Sequence, residues 1–309
     1  MAKQMSLFGD ESLNRADFAA DLQNFSLNKA IENLHKWNHT FNPPPDLDKK
    51  IDALNWLIRQ LETHQDQAIP YLAWLFHDLH KVSELQPLKN EFPLLKKGIN
   101  KALYQRLDKH SIDFISEDVH PAEIFIRQND YPAALSSLKK YFERYGEQPF
   151  LRQLQGYVLW QQDKRRDALV LYTFVVFADP FVLRDDYLLP KMFRKKLKYL
   201  HLKYNDERKA LSRLAFELWH DGQTYIEGNQ PSFENFIRTK LDKLARQKND
   251  LTAKALHFNA LLFLAESARL SAYPNAPGPA FENLQEQMRE LNYEQYAIYI
   301  DTLKAFRNI

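Results

Sequence analysis

Apolar residues recur three and four positions apart over most of the chain, the period of one face of a helix. Behind Ser26, a residue type suited to capping, LNKAIENLHKWNHTF places Leu27, Ile31, Leu34 and Trp37 on one stripe. NPPPDLD ends that run, because proline removes a donor and disfavours helix in the residue before it. A second stripe follows through Ile51, Leu54, Leu57, Ile58 and Leu61. A third helix covers PYLAWLFHDLHKV with Pro70 in its first turn, and a fourth runs through about residues 91–109. HSIDFISEDVHP reads as a connection. Towards the C-terminus, LLPKMFRKKLKYLHLKY and ERKALSRLAFELWHDG are expected helices, and Ser232 is the expected cap of FENFIRTKLDKLARQKN. LTAKALHFNALLFLAESARLSA is the most apolar segment and the expected centre of the C-terminal part. YPNAPGP is a loop, and two short helices finish the chain.

From about residue 115 the pattern repeats at a spacing of 34. AEIFIRQNDYPAALSSLKKYF lies over GYVLWQQDKRRDALVLYTFVV, pairing Ala122 with Gly156, Ile124 with Val158, Phe125 with Leu159, Asn129 with Asp163 and Ala134 with Ala168. Small residues on both helices of a hairpin let two backbones approach, and one hairpin cannot bury its apolar face alone. These residues resemble the tetratricopeptide repeat. Gly156, Ala168, Tyr172 and Pro180 stand where that family prefers a small residue, an alanine, an aromatic and a closing proline. The first copy keeps Ala122, Phe125 and Ala134 but has Leu138 and Gly146 at the aromatic and proline positions. The resemblance implies protein or peptide binding. It divides the chain into a flexible tail (1–12), an N-terminal helical region (13–114), the repeat pair (115–182) and a C-terminal helical region (183–309).

Composition narrows the picture. Only 7 of 309 residues are glycine, which disfavours tight hairpins and phosphate-cradling loops and points to helices joined by short polar turns. The expected fold is therefore all-α, an array of helical hairpins or an α-solenoid. With no cysteine, disulfides, thiol nucleophiles and thiolate zinc sites are excluded. Lys and Arg number 42 against 40 Asp and Glu, so overall charge is no signature of nucleic-acid binding. No apolar run approaches the ~18 residues of a membrane span, and no signal pattern opens the chain. A cytoplasmic protein without cofactor is expected.

The local chemistry is sparse. His35 and His39 share a helix face without a carboxylate at ligand spacing. His77-Asp78, followed by Lys81, resembles the signature of the HD phosphohydrolases, in which such a pair holds metal and bound water attacks a phosphate ester. His80 departs from that family's pattern, and an exposed amphipathic surface is the plainer reading of the segment. Ser136 and Lys139 lie inside an expected helix, and the common nucleotide, hydrolase and zinc-protease motifs are missing. KMFRKKLKYLHLKY holds six basic residues and no acid. Lys191, Arg194, Lys195 and Lys198 form one stripe beside an apolar band of Met192, Phe193, Leu197, Leu200 and Tyr204. Such a stripe suits phosphates or an acidic partner, unless it is simply solvated or paired with acids such as Asp185 and Asp186.

The chain opens MAKQMSLFGDES. Gln4, Met5, Ser6, Leu7 and Phe8 resemble, position by position, the peptide with which many bacterial proteins bind the β sliding clamp of the replicative polymerase. Methionine at the second position is the mildest departure. In such a peptide Leu7 and Phe8 would fill an apolar pocket as hot spots while Gln4 hydrogen-bonds in another. The other reading is a tail packed against the first helix.

The sequence thus describes a non-enzymatic, all-helical interaction scaffold. Two other readings stand beside it: a replication or repair accessory protein tethered by QMSLF, with the basic stripe near DNA, and an HD-like metal phosphohydrolase built on His77 and Asp78.

Overall fold

The computed structural model describes residues 2–39, 46–107, 112, 114–115, 119–247, 250–273 and 275–307, and side chains over 12–305 of these. The described chain is helical, without a strand, and forms two compact units, residues 1–137 and 138–309. No described helix is long and apolar enough to cross a membrane.

The N-terminal unit holds α1 (Ala2–Gln23), α2 (Leu27–Asn38), α3 (Leu47–Thr63), α4 (Ala68–Asp78), α5 (Phe92–Leu107) and α6 (Pro121–Arg127). The unit boundary falls within α7 (Tyr131–Tyr145). The 34-residue pattern is therefore divided, with the first helix of one copy in the N-terminal unit and the second copy wholly in the other. Phe18 and Leu22 of α1, Leu27 and Leu34 of α2, Leu54 and Leu57 of α3, Leu72 and Leu75 of α4, and Leu95, Ile99 and Leu103 of α5 make one buried cluster. Each such side chain contributes about 1.5–3 kcal/mol on burial. The α1 segment carries little amphipathic signal and was not expected as a helix. Residues 1–12, read as a tail, fall in its span, and the side chains of Gln4, Met5, Ser6, Leu7 and Phe8 lie outside the described residues. Ser26 stands at the N-cap position of α2 but makes no capping hydrogen bond.

The C-terminal unit continues with α8 (Pro149–Gln161), α9 (Arg165–Ala178), α10 (Lys191–Tyr204), α11 (Glu207–His220), α12 (Pro231–Ala245), α13 (Leu251–Ala272), α14 (Pro279–Leu291) and α15 (Tyr293–Arg307). The apolar α13 packs against α9, α11, α12 and α14, and its residues are buried almost continuously from Ala253 to Ser267. Phe174 of α9 stacks on Phe233 of α12, with ring centroids 4.0 Å apart. The start of α12 is two residues earlier than Ser232 suggests. Pro231 takes the first helical position, where its missing N–H costs nothing and its φ is already helical.

Few glycines are needed for the turns. Helices α1, α6, α8 and α11 all end in the same motif, with left-handed residues Phe25, Asn129, Asp163 and Gly222. In each, the next amide bonds back five residues: Ser26 N to Asp21 O (2.9 Å), Asp130 N to Phe125 O (2.9 Å), Lys164 N to Leu159 O (2.9 Å) and Gln223 N to Leu218 O (2.8 Å). These bonds satisfy carbonyls that a helix end leaves free. Asn and Asp tolerate this conformation because their short polar side chains can bond locally.

Candidate functional site

Helix α10 is amphipathic, and burial divides its faces as the sequence expects. Phe193, Leu197 and Leu200 enter the core, while Lys191, Arg194, Lys195 and Lys198 are exposed. Pro190 precedes its first turn, which carries neither a side-chain cap nor an acidic residue. The first amides of a helix have no intrahelical acceptor and mark the positive end of its dipole.

A cleft of about 980 Å³ opens at this helix end. Leu189, Pro190 and Met192 form part of its floor. Lys191, Arg194, Lys195 and Lys196 line it from α10, and Trp160 and Arg165 from the α8–α9 turn. The Arg165 guanidinium lies 4.4 Å from the Trp160 ring centre and pairs with Asp163 at 2.8 Å. Lys196 is neutralised too, by Asp221 at 2.6 Å. Among the described residues, Asp221 is the one carboxylate lining the cleft. Glu217, 3.7 Å from Lys203, raises that lysine's pKa by its charge.

The remaining cations differ. Among the described residues, no carboxylate forms an ion pair with Lys191, Arg194, Lys195 or Lys198, and Asp185 and Asp186 are not their partners. They lie in a short 3-10 turn, Asp185–Tyr187, that precedes α10. Arg194 donates a long 3.4 Å hydrogen bond to the Leu189 carbonyl. Tyr199, 53% exposed, stands at the cleft with the Lys196 and Lys203 ammonium groups 5.5 and 5.8 Å from its ring centre. Gln223 also lines the cleft, and its buried Oε1 has no hydrogen-bond partner among the described residues.

Three stripe residues named from sequence, Lys191, Arg194 and Lys195, thus meet in one cleft, while Lys198 lies outside its lining. Trp160, Arg165, Lys196 and Gln223 were missed. Trp160 and Arg165 come from a distant part of the chain, and only the packing of the α8–α9 hairpin brings them here. The local signal was the basic segment itself, which holds Lys196 and Tyr199.

The other sequence candidates belong to the N-terminal unit. Asp78 pairs with Lys81 at 2.8 Å, and that hydrogen bond holds its carboxyl below the ordinary value. His77 packs edge-on against Phe76. Among the described residues, no three His, Asp or Glu side chains group as a metal-ligand set around either His77-Asp78 or His35 and His39.

No protein-family model matches the chain, and neither a curated protein nor a solved structure matches it significantly.

Proposed function

We propose that this is a non-enzymatic, all-helical interaction protein that holds an acidic segment of a partner protein in the cleft at the start of α10. The observation that carries the reading is the set of unpaired cations, Lys191, Arg194 and Lys195, gathered at an uncapped helix N-terminus. Like charges held together repel, and a carboxylate-rich segment relieves that repulsion while accepting bonds from the free amides. Overall charge near zero argues for a local acidic match rather than a nucleic-acid backbone. The α8–α9 hairpin supports the tetratricopeptide-like part of the reading. Gly156 lets Tyr172 and the Ala168 carbonyl come close, and the left-handed Asn129 and Asp163 stand one repeat length apart.

The test is fluorescence anisotropy with a labelled Asp/Glu-rich peptide and, separately, a labelled single-stranded oligonucleotide. The reading expects saturable peptide binding that salt weakens and Arg194→Glu/Lys195→Glu reduces at least about tenfold. Tighter, salt-sensitive binding of the oligonucleotide would replace the acidic peptide by nucleic acid.

A second partner is favoured by the Gln4–Phe8 sequence match. In this reading the N-terminal segment tethers the protein to a bacterial β sliding clamp and the helical body holds the cargo. Purified clamp should bind the intact chain and not the Gln4→Ala/Leu7→Ala/Phe8→Ala variant. Equal binding by both, or by neither, removes the tether.

A further inference from the structure

The N-terminal unit carries a second cationic cleft, of about 490 Å³, built from different elements. Gln23 and Asn24 border it at the end of α1, Phe76 comes from α4, and Arg127 and Gln128 come from the end of α6. Its main wall is one face of α5, where Lys96, Lys97, Asn100 and Lys101 stand at helical neighbour spacing. No carboxylate is among the lining residues. Arg127 is shared with the buried Glu123 at 3.6 Å. Lys96, Lys97 and Lys101 form no ion pair among the described residues, and Lys101 donates instead to the neutral Asn24 Oδ1 at 2.7 Å. Phe76 holds two of the cations in place, with Arg127 4.2 Å and Lys96 5.4 Å from its ring centre.

Asn100 also lines the cleft. It is only 4% exposed, yet among the described residues its Oδ1 has no hydrogen-bond partner. A buried amide without a partner costs stability, and an apolar side chain of like size would relieve that cost. Asn100 lies one helical turn from both Lys96 and Lys97 and adjacent to Lys101. The three lysines line the same cleft, on one stretch of α5.

We infer that this cleft is a binding site for a small phosphate-bearing molecule, with Lys96, Lys97 and Lys101 taking the phosphate charge. A multiply charged phosphate matches several unpaired ammonium groups, and the volume lies in the range of small-molecule sites. The side-chain amides of Gln23 and Gln128 offer further donors at the rim.

Calorimetric titration of the full chain with inorganic pyrophosphate, at constant ionic strength, tests this. One saturable site is expected. Lys97→Ala/Lys101→Ala should weaken it at least about tenfold, whereas Arg194→Ala/Lys195→Ala in the other unit should leave that site unchanged. The inference is overturned by absence of saturable binding, or by binding that only the Arg194/Lys195 variant removes.

Discussion

The hydroxyl of Tyr299 donates a 3.0 Å hydrogen bond to Glu266 Oε1, and both side chains are buried. Arg269 closes the other side of the carboxylate, with bonds of 2.7 Å to Oε2 and 3.1 Å to Oε1. A buried charge is tolerated when it is paired and hydrogen-bonded in this way. Tyr299→Phe removes one bond and leaves the Arg269 pair, so chemical denaturation should show a loss of about 1–2 kcal/mol. Glu266→Leu should cost less than Glu266→Ala, because it refills the space that the carboxylate leaves.

Burial also raises the phenol of Tyr299 well above its ordinary value, and the charge of Glu266 adds to the effect. Tyr172 is raised by burial as well, its hydroxyl donating to the Tyr187 carbonyl at 2.5 Å. Both folded-state values lie above the unfolded one, so their contribution is complete below about pH 10. It is lost as pH rises further, because only the unfolded chain then releases these protons. The unfolding free energy should fall above pH ~10 by up to about 1.4 kcal/mol per pH unit for each phenol. Tyr172→Phe/Tyr299→Phe should flatten that slope while leaving the profile near neutrality parallel to the parent's.

Two glycines that look alike in sequence should respond differently. A Cβ on Gly98 would lie 2.1 Å from the Leu22 carbonyl oxygen, a backbone atom at the end of α1. Gly98→Ala should therefore destabilise by about 1–3 kcal/mol or more, with hydrogen exchange accelerating first in α1 and α5. At Gly156 the nearest atom is Tyr172 Cε2 at 3.3 Å, part of a side chain rather than of the backbone. There the gain in helix propensity offsets the crowding, and Gly156→Ala should change stability by about 1 kcal/mol or less.

Lysines should likewise separate by environment. Lys50 bonds Glu91 at 2.6 Å with both side chains largely buried. Glu91→Ala should cost about 3 kcal/mol, because it leaves a buried ammonium without its partner. Lys195→Ala, at an exposed position without an ion pair, should leave the melting temperature within about 1 °C of the parent while weakening acidic-peptide binding.

Much of the secondary structure follows from local rules, and the periodic stripes of α2, α3 and α5 and the apolar run of α13 show this directly. Side-chain period decides a helix face before any partner is present. The same rule separates Lys191, Arg194 and Lys195 from Phe193 and Leu197. Helix α1 escaped it because its stripe is weak and its formation depends on packing Phe18 and Leu22 against neighbours distant in sequence. The repeat spacing was legible, but the unit boundary inside α7 was not, since a boundary reflects long-range contacts rather than local pattern. Both clefts belong to the tertiary structure. Trp160 and Arg165 reach the start of α10 only through the α8–α9 hairpin. Asn100 looks like an ordinary helix residue until α1, α4 and α6 close around α5 and bury its carbonyl oxygen without a partner among the described residues. Sequence determined which residues carry charge and on which helical face they stand. Packing decided which charges lost their counter-ions and which distant side chains came to share a cavity, because desolvation and proximity exist only once the chain has folded.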